Sequence, residues 1–225
     1  MKNVVIYTTN DGIASLKLVD SILSDKKFKS YQFDIILNNI SFFKKIKMLI
    51  VFLFFGSIFE LFKRYKNKIS IEDILLKHEN CKLVKDVEKN YDFGLNVYGN
   101  KKLKLQKFKI YNFHLGSLKN QRGSFICFYK YIYDWEYIDL SFHEISEKFD
   151  VGKIFNKRTI KLSKKVKAID ILFLYLDHLD FLTESIEKIE NDNFIQYKEY
   201  EKINLVPSFK KLIMLTIKYY FRKIF

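Results

Sequence analysis

Two polar side chains suited to group-transfer chemistry stand close together in the middle of the chain. Asn112 and His114 follow the strand-like run 108–111, and side chains two positions apart in a strand point to the same face of a sheet. Asp150 comes 36 residues after His114 and two residues before Gly152, where a loop carboxylate can reach and orient the imidazole. An amide donor, a histidine and a carboxylate that meet in one space suit the transfer of an acyl group to an amine.

The roles of these three residues follow from what such a transfer requires. An amine that adds to an acyl carbonyl forms a tetrahedral intermediate, which needs a base, donors for the oxyanion and a proton for the leaving group. Histidine titrates near neutrality, so His114 can take a proton and then return it. The Asn112 amide would donate to the oxyanion, and Asp150 would hold the imidazolium as the acid does in hydrolase triads. None of these roles requires a metal ion.

The composition predicts one folded domain and leaves several anionic partners open. The 225 residues are 48% hydrophobic and 17% aromatic, which excludes intrinsic disorder and allows a full core. A net charge of +14 favours a nucleotide phosphate, a nucleic acid or a membrane surface as partner. The charge comes mainly from lysines scattered along the chain, as biased coding would produce, so it does not single out one of these partners.

The cysteines and the N-terminal residues predict a cytoplasmic protein. Cys81 and Cys127 lie far apart without metal-type spacing, so we expect them to be buried thiols in a reducing compartment. Met1 and Lys2 lead straight into the strand-like run 3–7, which does not resemble a signal peptide. The most hydrophobic run, 48–55, is shorter than the roughly 20 residues that a membrane span needs. The inner face of the membrane stays open as a location.

Strand-like and helix-like segments alternate through the first two thirds of the chain. The predicted strands are 4–7, 33–37, 81–84, 93–97, 110–114 and 137–145, and the predicted helices are 13–23, 42–65, 124–134, 166–191 and 208–225, with a turn at 8–12. The alternation predicts an α/β fold: an open, mostly parallel, Rossmann-like twisted sheet flanked by helices, with a short C-terminal helical extension. We expect a catalytic domain at 1–200 and a basic helical tail at 201–225. Ligands of such sheets bind beyond the carboxyl ends of the strands.

The segment 112–123 resembles the signature of the folate-dependent formyltransferase superfamily, which reads roughly Asn-x-His-Pro-(Ser/Gly)-x-Leu-Pro-x-x-Arg-Gly. The segment 141–154 is similar to a second motif of that family, Thr-x-His-x-(Ile/Val)-(Asp/Ser)-Glu-x-x-Asp-x-Gly-x-Ile, and 91–99 resembles the part that its members place beside folate. Leu115 and Lys119 stand where the family usually has proline. The usual Gly-Val-Thr before the motif histidine is replaced at 139–141. The resemblance covers about residues 80 to 165.

The resemblance implies an enzyme that uses N10-formyltetrahydrofolate as its formyl donor. It assigns the chemical roles to Asn112, His114 and Asp150. The residues that it places against the cofactor are Gly94, Leu95, His143 and Gly152. Arg122 would contact a substrate phosphate or anchor its own loop.

Three classes of acceptor amine are known within this family. Initiator-tRNA formyltransferases carry a sizeable second domain, whereas only about 60 residues follow Leu162 here, so a nucleic-acid partner is not expected. Glycinamide ribonucleotide formyltransferases need a Gly-rich loop after the first strand, and 8–13 holds a single glycine. A nucleotide-linked amino sugar for surface polysaccharide synthesis remains, and Gly116 with the turn 120–123 resembles that sugar N-formyltransferase branch.

Two hypotheses from other functional classes remain, a membrane-surface module and an inactive relative. The segment 208–225 is basic and apolar, and 48–62 lies in a hydrophobic region, so the two could contact a membrane surface; alternatively, 208–225 docks on the domain as a C-terminal helix. An inactive relative that binds without reacting is the other reading. The sequence gives no indication of the oligomeric state.

Overall fold

The computed structural model describes residues 1–10, 13–55, 58–66, 68–87, 89–99, 103, 106–148, 150–191, 194–197 and 199–224. The strands are β1 (Asn3–Thr9), β2 (Gln32–Asn38), β3 (Cys81–Leu83), β4 (Phe93–Val97), β5 (Ile110–Leu115), β6 (Tyr137–Glu144) and β7 (Ile154–Lys161). The helices are α1 (Ile13–Ser24), α2 (Phe42–Phe54), α3 (Ile58–Lys66), α4 (Ile71–Lys77), α5 (Ile126–Tyr133), α6 (Ala168–Leu172), α7 (Leu174–Asp177), α8 (Leu179–Glu187) and α9 (Phe209–Ile224). Short 3-10 turns lie at Lys26–Phe28 and Lys188–Asn191.

The seven strands form one open sheet in the order β3-β2-β1-β4-β5-β6-β7. The first five strands of this order pair in parallel, and β6 pairs antiparallel with both β5 and β7. The mostly parallel α/β prediction is therefore confirmed. Strand order reverses between β1 and β4, and the crevice beyond the carboxyl ends of strands at such a point is where open α/β sheets bind ligands.

The long helix predicted over 166–191 is wrong, because the chain breaks into α6, α7, α8 and a 3-10 turn. Phe173 and His178 at the junctions have non-helical backbone angles. Phe173, Tyr175 and Phe181 are all buried in the core, and one straight helix has a single stripe of inward positions that cannot hold them all. β7 and α4 were not predicted from the sequence.

The main core lies between the sheet and α1, α2, α5, α6 and α8. The C-terminal helix α9 packs onto it through Leu212 and Thr216, which are 0% and 2% exposed. The predicted helix over 42–65 is seen as α2 and α3; Gly56 and Ser57 between them lie outside the described residues. Among the described helices, none combines the length and apolar content needed to cross a bilayer.

Candidate active site

Asn112, His114 and Asp150 lie together at the carboxyl end of β5. The two β5 side chains share one face of the strand, as their spacing predicts, and the Asp150 loop approaches that face. Asp150 Oδ1 lies 3.6 Å from His114 Nδ1. This is an ion-pair distance that is longer than a hydrogen bond.

A backbone carbonyl fixes the orientation of the His114 ring. His114 Nε2 donates a hydrogen bond to the Gln121 carbonyl oxygen at 3.0 Å. Because a carbonyl only accepts, Nε2 carries the hydrogen, and the nitrogen left to gain or lose a proton is Nδ1. That atom is the one that faces Asp150. The ring is thus oriented for proton transfer through Nδ1.

Asp150 is held in place by groups outside β5. Its Oδ2 accepts a hydrogen bond of 2.6 Å from the Gly123 backbone N–H, and its backbone oxygen accepts one of 3.1 Å from Arg122 Nε. Its φ of +48° lies in the left-handed region, which Asp tolerates better than most residues. Such a conformation at a cleft is typical of residues held for a function. Phe149, its neighbour in the motif, lies outside the described residues.

A row of three hydrogen-bonded side chains crosses β4, β5 and β6. Asn96 and Asn112 are register partners, as are Asn112 and His143. Asn96 Nδ2 donates to Asn112 Oδ1 at 2.7 Å, and Asn112 Nδ2 donates to His143 Nε2 at 3.0 Å. His143 Nδ1 in turn donates to the Glu144 carbonyl at 2.9 Å. The row fixes the plane of the Asn112 amide.

His143 is neutral in this arrangement. Both ring nitrogens are occupied, Nδ1 as donor and Nε2 as acceptor. Burial lowers the pKa of His143 to about 4; the Asp150 charge opposes this shift, and His114 adds to it. His143 therefore stays uncharged near neutrality and serves as an acceptor for Asn112.

The loop after β5 lacks the two prolines of the family motif and is held by hydrogen bonds of Gln121. Gln121 Oε1 accepts from the Ser117 and Asp139 backbone N–H groups at 3.0 and 3.3 Å, and Gln121 Nε2 donates to the Tyr137 carbonyl at 2.8 Å. Gly116 has a φ of +137°, and a Cβ there would collide with the Gln121 backbone oxygen. The loop thus closes tightly over the His114 ring.

These side chains line one cavity of about 760 Å³. Its wall includes Thr9 at the end of β1, Asn96 near the end of β4 and His143 in β6, along with the three residues singled out from the sequence. The opposite wall is largely apolar and comes from α2, α3 and the start of α5: Phe42, Ile46, Leu49, Phe52, Leu61, Phe62, Phe125 and Ile126. The cavity lies where the strand order reverses, as expected for this sheet.

Several residues predicted to contact ligands do not reach the cavity. Gly94 lies within β4, where a Cβ would meet Val5 and Ile110 at 3.2 Å, and Leu95 is fully buried in the core. Gly152 is buried, and a Cβ there would collide with the Glu144 carbonyl. None of the three is in the cavity wall, because each is packed inside the sheet or against it; the β4 contribution comes instead from Asn96, whose side chain faces the cleft.

Arg122 anchors its loop and is also outside the cavity wall. Besides Asp150, its guanidinium donates to the Glu201 carbonyl at 2.8 Å and lies over the Tyr200 ring at 5.2 Å. The adjacent Gly123 pairs with Asn204. Arg122 thus ties the Asp150 loop to the segment before α9, which is the loop-anchoring alternative of the two considered for it.

Sequence reasoning missed Asn96 as part of the site. Asn96 is a polar residue three positions after the start of β4, which is the one signal that the sequence offers. The strand register that places Asn96 beside Asn112 cannot be read from a single sequence. The turn predicted at 8–12 lies partly outside the described residues, at Asp11 and Gly12; Thr8 and Thr9 belong to β1. Among the described residues, no His, Cys, Asp or Glu cluster suits a metal ion.

Comparison with solved structures identifies the fold. The chain is similar to a 4-N formyltransferase from Francisella tularensis, with 20% identity, 91% of this chain and 76% of that chain covered, and a TM-score of 0.54. It is also similar to an N-formyltransferase from Helicobacter canadensis in complex with folinic acid and dTDP-3-aminofucose, with 16% identity, coverage of 98% and 80%, and a TM-score of 0.63. This chain has the formyltransferase fold.

The formyltransferase fold also occurs in longer proteins that resemble this one. HypX from Aquifex aeolicus in complex with tetrahydrofolic acid matches with 12% identity, 97% of this chain covered and a TM-score of 0.57, and this chain spans 34% of HypX. No family model and no curated protein matches the sequence. The fold assignment therefore rests on the three-dimensional structure, and within that fold the described site occupies the carboxyl ends of β4 and β5.

Proposed function

We propose that this protein is an N-formyltransferase that moves a formyl group from N10-formyltetrahydrofolate to the amine of a nucleotide-linked amino sugar. One observation carries the proposal: Asn112, His114 and Asp150 meet at one wall of a large cavity within the formyltransferase fold. Each of the three offers the group that formyl transfer to an amine requires.

The formyl donor fits the groups that face the cavity. When bound, N10-formyltetrahydrofolate supplies a formyl group whose oxygen gains negative charge as an amine adds to its carbon, and the folate nitrogen leaves. The second amide hydrogen of Asn112 has no partner among the described residues, and its side chain lines the cavity. About 760 Å³ is within the usual range for sites that bind molecules of this size.

Each residue of the site has a separate role in the transfer. His114 Nδ1 takes the proton that the attacking amine loses, and Asp150 stabilises the resulting imidazolium from 3.6 Å. His114 then gives this proton to the leaving nitrogen and returns to its starting state. Asn112 donates its amide hydrogen to the oxygen on which charge develops, while neutral His143 holds that amide in position.

Cations in the cavity wall support an anionic acceptor. Lys44 and Lys45 of α2 and Lys148 before the Asp150 loop all line the cavity. Lysine is a common partner of phosphate groups. The Helicobacter canadensis relative was solved with dTDP-3-aminofucose, a nucleotide-linked amino sugar. An acceptor of this class would serve the synthesis of surface polysaccharides.

The test is a panel of nucleotide-linked amino sugars incubated with the protein and N10-formyltetrahydrofolate and analysed by mass spectrometry. We expect one sugar amine to gain a formyl group, and glycinamide ribonucleotide in the same panel to remain unchanged. Formylation of glycinamide ribonucleotide alone would overturn the choice of acceptor. No formyl gain on any amine would contradict the transferase itself.

His114→Ala is the matched variant for this assay. We expect the turnover number to fall by about 10²–10⁴, because the general base is lost, while the dissociation constant for the folate donor changes little. His178→Ala is the control, since His178 lies at the N-cap position of α8 and is not among the residues that line the cavity. Turnover of His114→Ala within a few-fold of the wild type would mean that another group is the base.

A further inference from the structure

Groups of large apolar side chains are exposed to solvent on three of the described helices. In α2 and α3 these are Phe42, Phe43, Leu49, Leu53, Phe54, Phe59 and Phe62, and in α9 they are Phe209, Ile213, Met214, Ile217, Tyr220 and Phe221. Exposure reaches 85% at Phe59 and 60% at Phe221. Single exposed apolar residues are normal, whereas a group of this size marks an interaction surface. We name these residues the α2–α3–α9 face.

The helix α9 is apolar on more than one side. Leu212 and Thr216 face the core, and they are spaced as one turn of helix requires. Ile213 and Ile217 lie one turn apart on another side of the helix and are exposed. A helix that only docks on its own domain would carry polar residues there. The outward stripe therefore needs an apolar partner.

The exposed stripes of α2 and α9 are joined by direct contacts. Tyr220 donates a hydrogen bond to the Phe54 carbonyl, and Phe55, which follows α2, packs on Tyr219 with ring centroids 5.2 Å apart. Lys47 Nζ lies 5.1 Å from the centroid of the Phe209 ring. These contacts join α9 to α2, so the two exposed stripes belong to one surface.

The positive charge of the chain is concentrated in these same helices. There are three basic residues in α2, three in α3 and five in α9, against one acidic residue, Glu60. Glu60 is itself paired with Lys167 at 3.2 Å. The three helices thus carry ten of the fourteen excess positive charges, because acidic residues offset most of the basic residues elsewhere in the chain.

We infer that the α2–α3–α9 face docks on an anionic lipid bilayer. Aromatic and aliphatic side chains flanked by lysines are the composition of helices that lie in a membrane interface. The apolar side chains would enter the acyl boundary while the lysines reach the headgroups. The charge excess selects an anionic membrane surface over a neutral apolar partner.

Docking would bring the cavity to the membrane. Phe42, Leu49 and Phe62 belong to the exposed face and also line the cavity. The inference is nevertheless independent of the proposed formyl transfer, because it rests on the exposed side chains and charges alone. Catalysis in solution and attachment to lipid are separable measurements.

The test is sedimentation of the full chain with vesicles of phosphatidylcholine and phosphatidylglycerol, and with vesicles of phosphatidylcholine alone. We expect the wild type to sediment with the anionic vesicles and to stay largely in the supernatant with the neutral ones. The variant Ile213→Glu/Ile217→Glu should bind anionic vesicles at least about tenfold more weakly, because it places two anions in the apolar stripe. Replacing Lys210, Lys211 and Lys218 with Gln should weaken binding by about fivefold per lysine.

The matched control is Leu76→Glu/Leu83→Glu, which makes the same chemical change at exposed leucines on α4 and β3. It should sediment like the wild type. Failure of the wild type to bind anionic vesicles, or equal binding by the Ile213→Glu/Ile217→Glu variant, would overturn the inference. So would a wild-type dimer in light scattering that this variant dissociates, since a second copy would then cover the face. Circular dichroism melting of each variant verifies that it is folded.

Discussion

Asn112 Nδ2 donates a hydrogen bond of 3.0 Å to Nε2 of His143, its register partner on the antiparallel strand β6. This bond needs the imidazole to be neutral, because a protonated ring has no acceptor. It also directs the other amide hydrogen of Asn112 away from β6. The pairing links the protonation of a buried histidine to the orientation of the group that we propose as the oxyanion donor.

The first prediction concerns the pH dependence of stability. Burial lowers the pKa of folded His143 from 6.5 to about 4, so the unfolded chain takes up the proton first as the pH falls. The contribution of neutral His143 to the free energy of unfolding is therefore complete above pH 6.5 and is lost as the pH falls from 6.5 to 4. Urea unfolding measures the free energy of unfolding at pH 7.5 and at pH 4. Between these two pH values it should fall by about 3 kcal/mol more in the wild type than in His143→Gln. Equal losses in the two proteins would mean that His143 titrates normally.

The second prediction is that Asn112→Ala lowers the turnover number by about 10²–10³, the usual effect of removing one oxyanion donor. The Michaelis constant for the folate donor should stay near its wild-type value, because the lost bond forms as charge develops. Steady-state kinetics of formyl transfer measures both. The control is Asn120→Ala, at an exposed asparagine of the loop after β5. A pure rise in the Michaelis constant would refute the assigned role.

The third prediction isolates the charge of Asp150. In Asp150→Asn a side-chain oxygen can still accept from the Gly123 N–H, but the imidazolium of His114 loses its counter-ion. We expect turnover to fall by about 10²-fold or more, with little change in the urea midpoint. Asp134→Asn is the control, because Asp134 also has a left-handed backbone, with a φ of +51°. A variant that turns over normally would remove Asp150 from the mechanism.

The fourth prediction tests Asn96 as a positioning residue. Asn96→Ala deletes the 2.7 Å bond to Asn112 Oδ1, so the Asn112 amide can rotate. Turnover should fall by about tenfold, about half the free-energy effect of losing the oxyanion donor itself, while the Michaelis constants hold. Asn38→Ala is the comparison, since Asn38 is similarly buried at the end of β2. Identical kinetic losses in both variants would indicate a general structural effect.

The fifth prediction concerns the loop that covers His114. Gln121→Leu removes three hydrogen bonds and leaves the backbone N–H groups of Ser117 and Asp139 unpaired. The free energy of unfolding should fall by about 2–4 kcal/mol, because buried donors lose their partners. Denaturant titration measures it, with Gln196→Leu as the exposed control. Unchanged stability would show that the loop does not depend on Gln121.

Much of the architecture was readable from local patterns. The alternation of strand and helix signals predicted the mostly parallel sheet, and the period of two placed Asn112 and His114 on one face of β5. The break at Phe173 was not readable, because burial of successive residues there depends on how α6 and α7 wrap the core. Likewise, the clustering of charge depends on which helices pack side by side, which no single segment reveals.

By itself, the sequence identified Asn112, His114 and Asp150 as candidate site residues, since the motif residues and their spacing are local properties of the chain. The tertiary structure alone decided how these groups are held. The Gln121 carbonyl determines which nitrogen of His114 carries the hydrogen, and Asn96 orients the Asn112 amide. Gly94 and Leu95 are packed in the interior and do not line the cavity. These outcomes depend on strand order, register and loop closure, which join residues far apart in sequence and leave no local pattern.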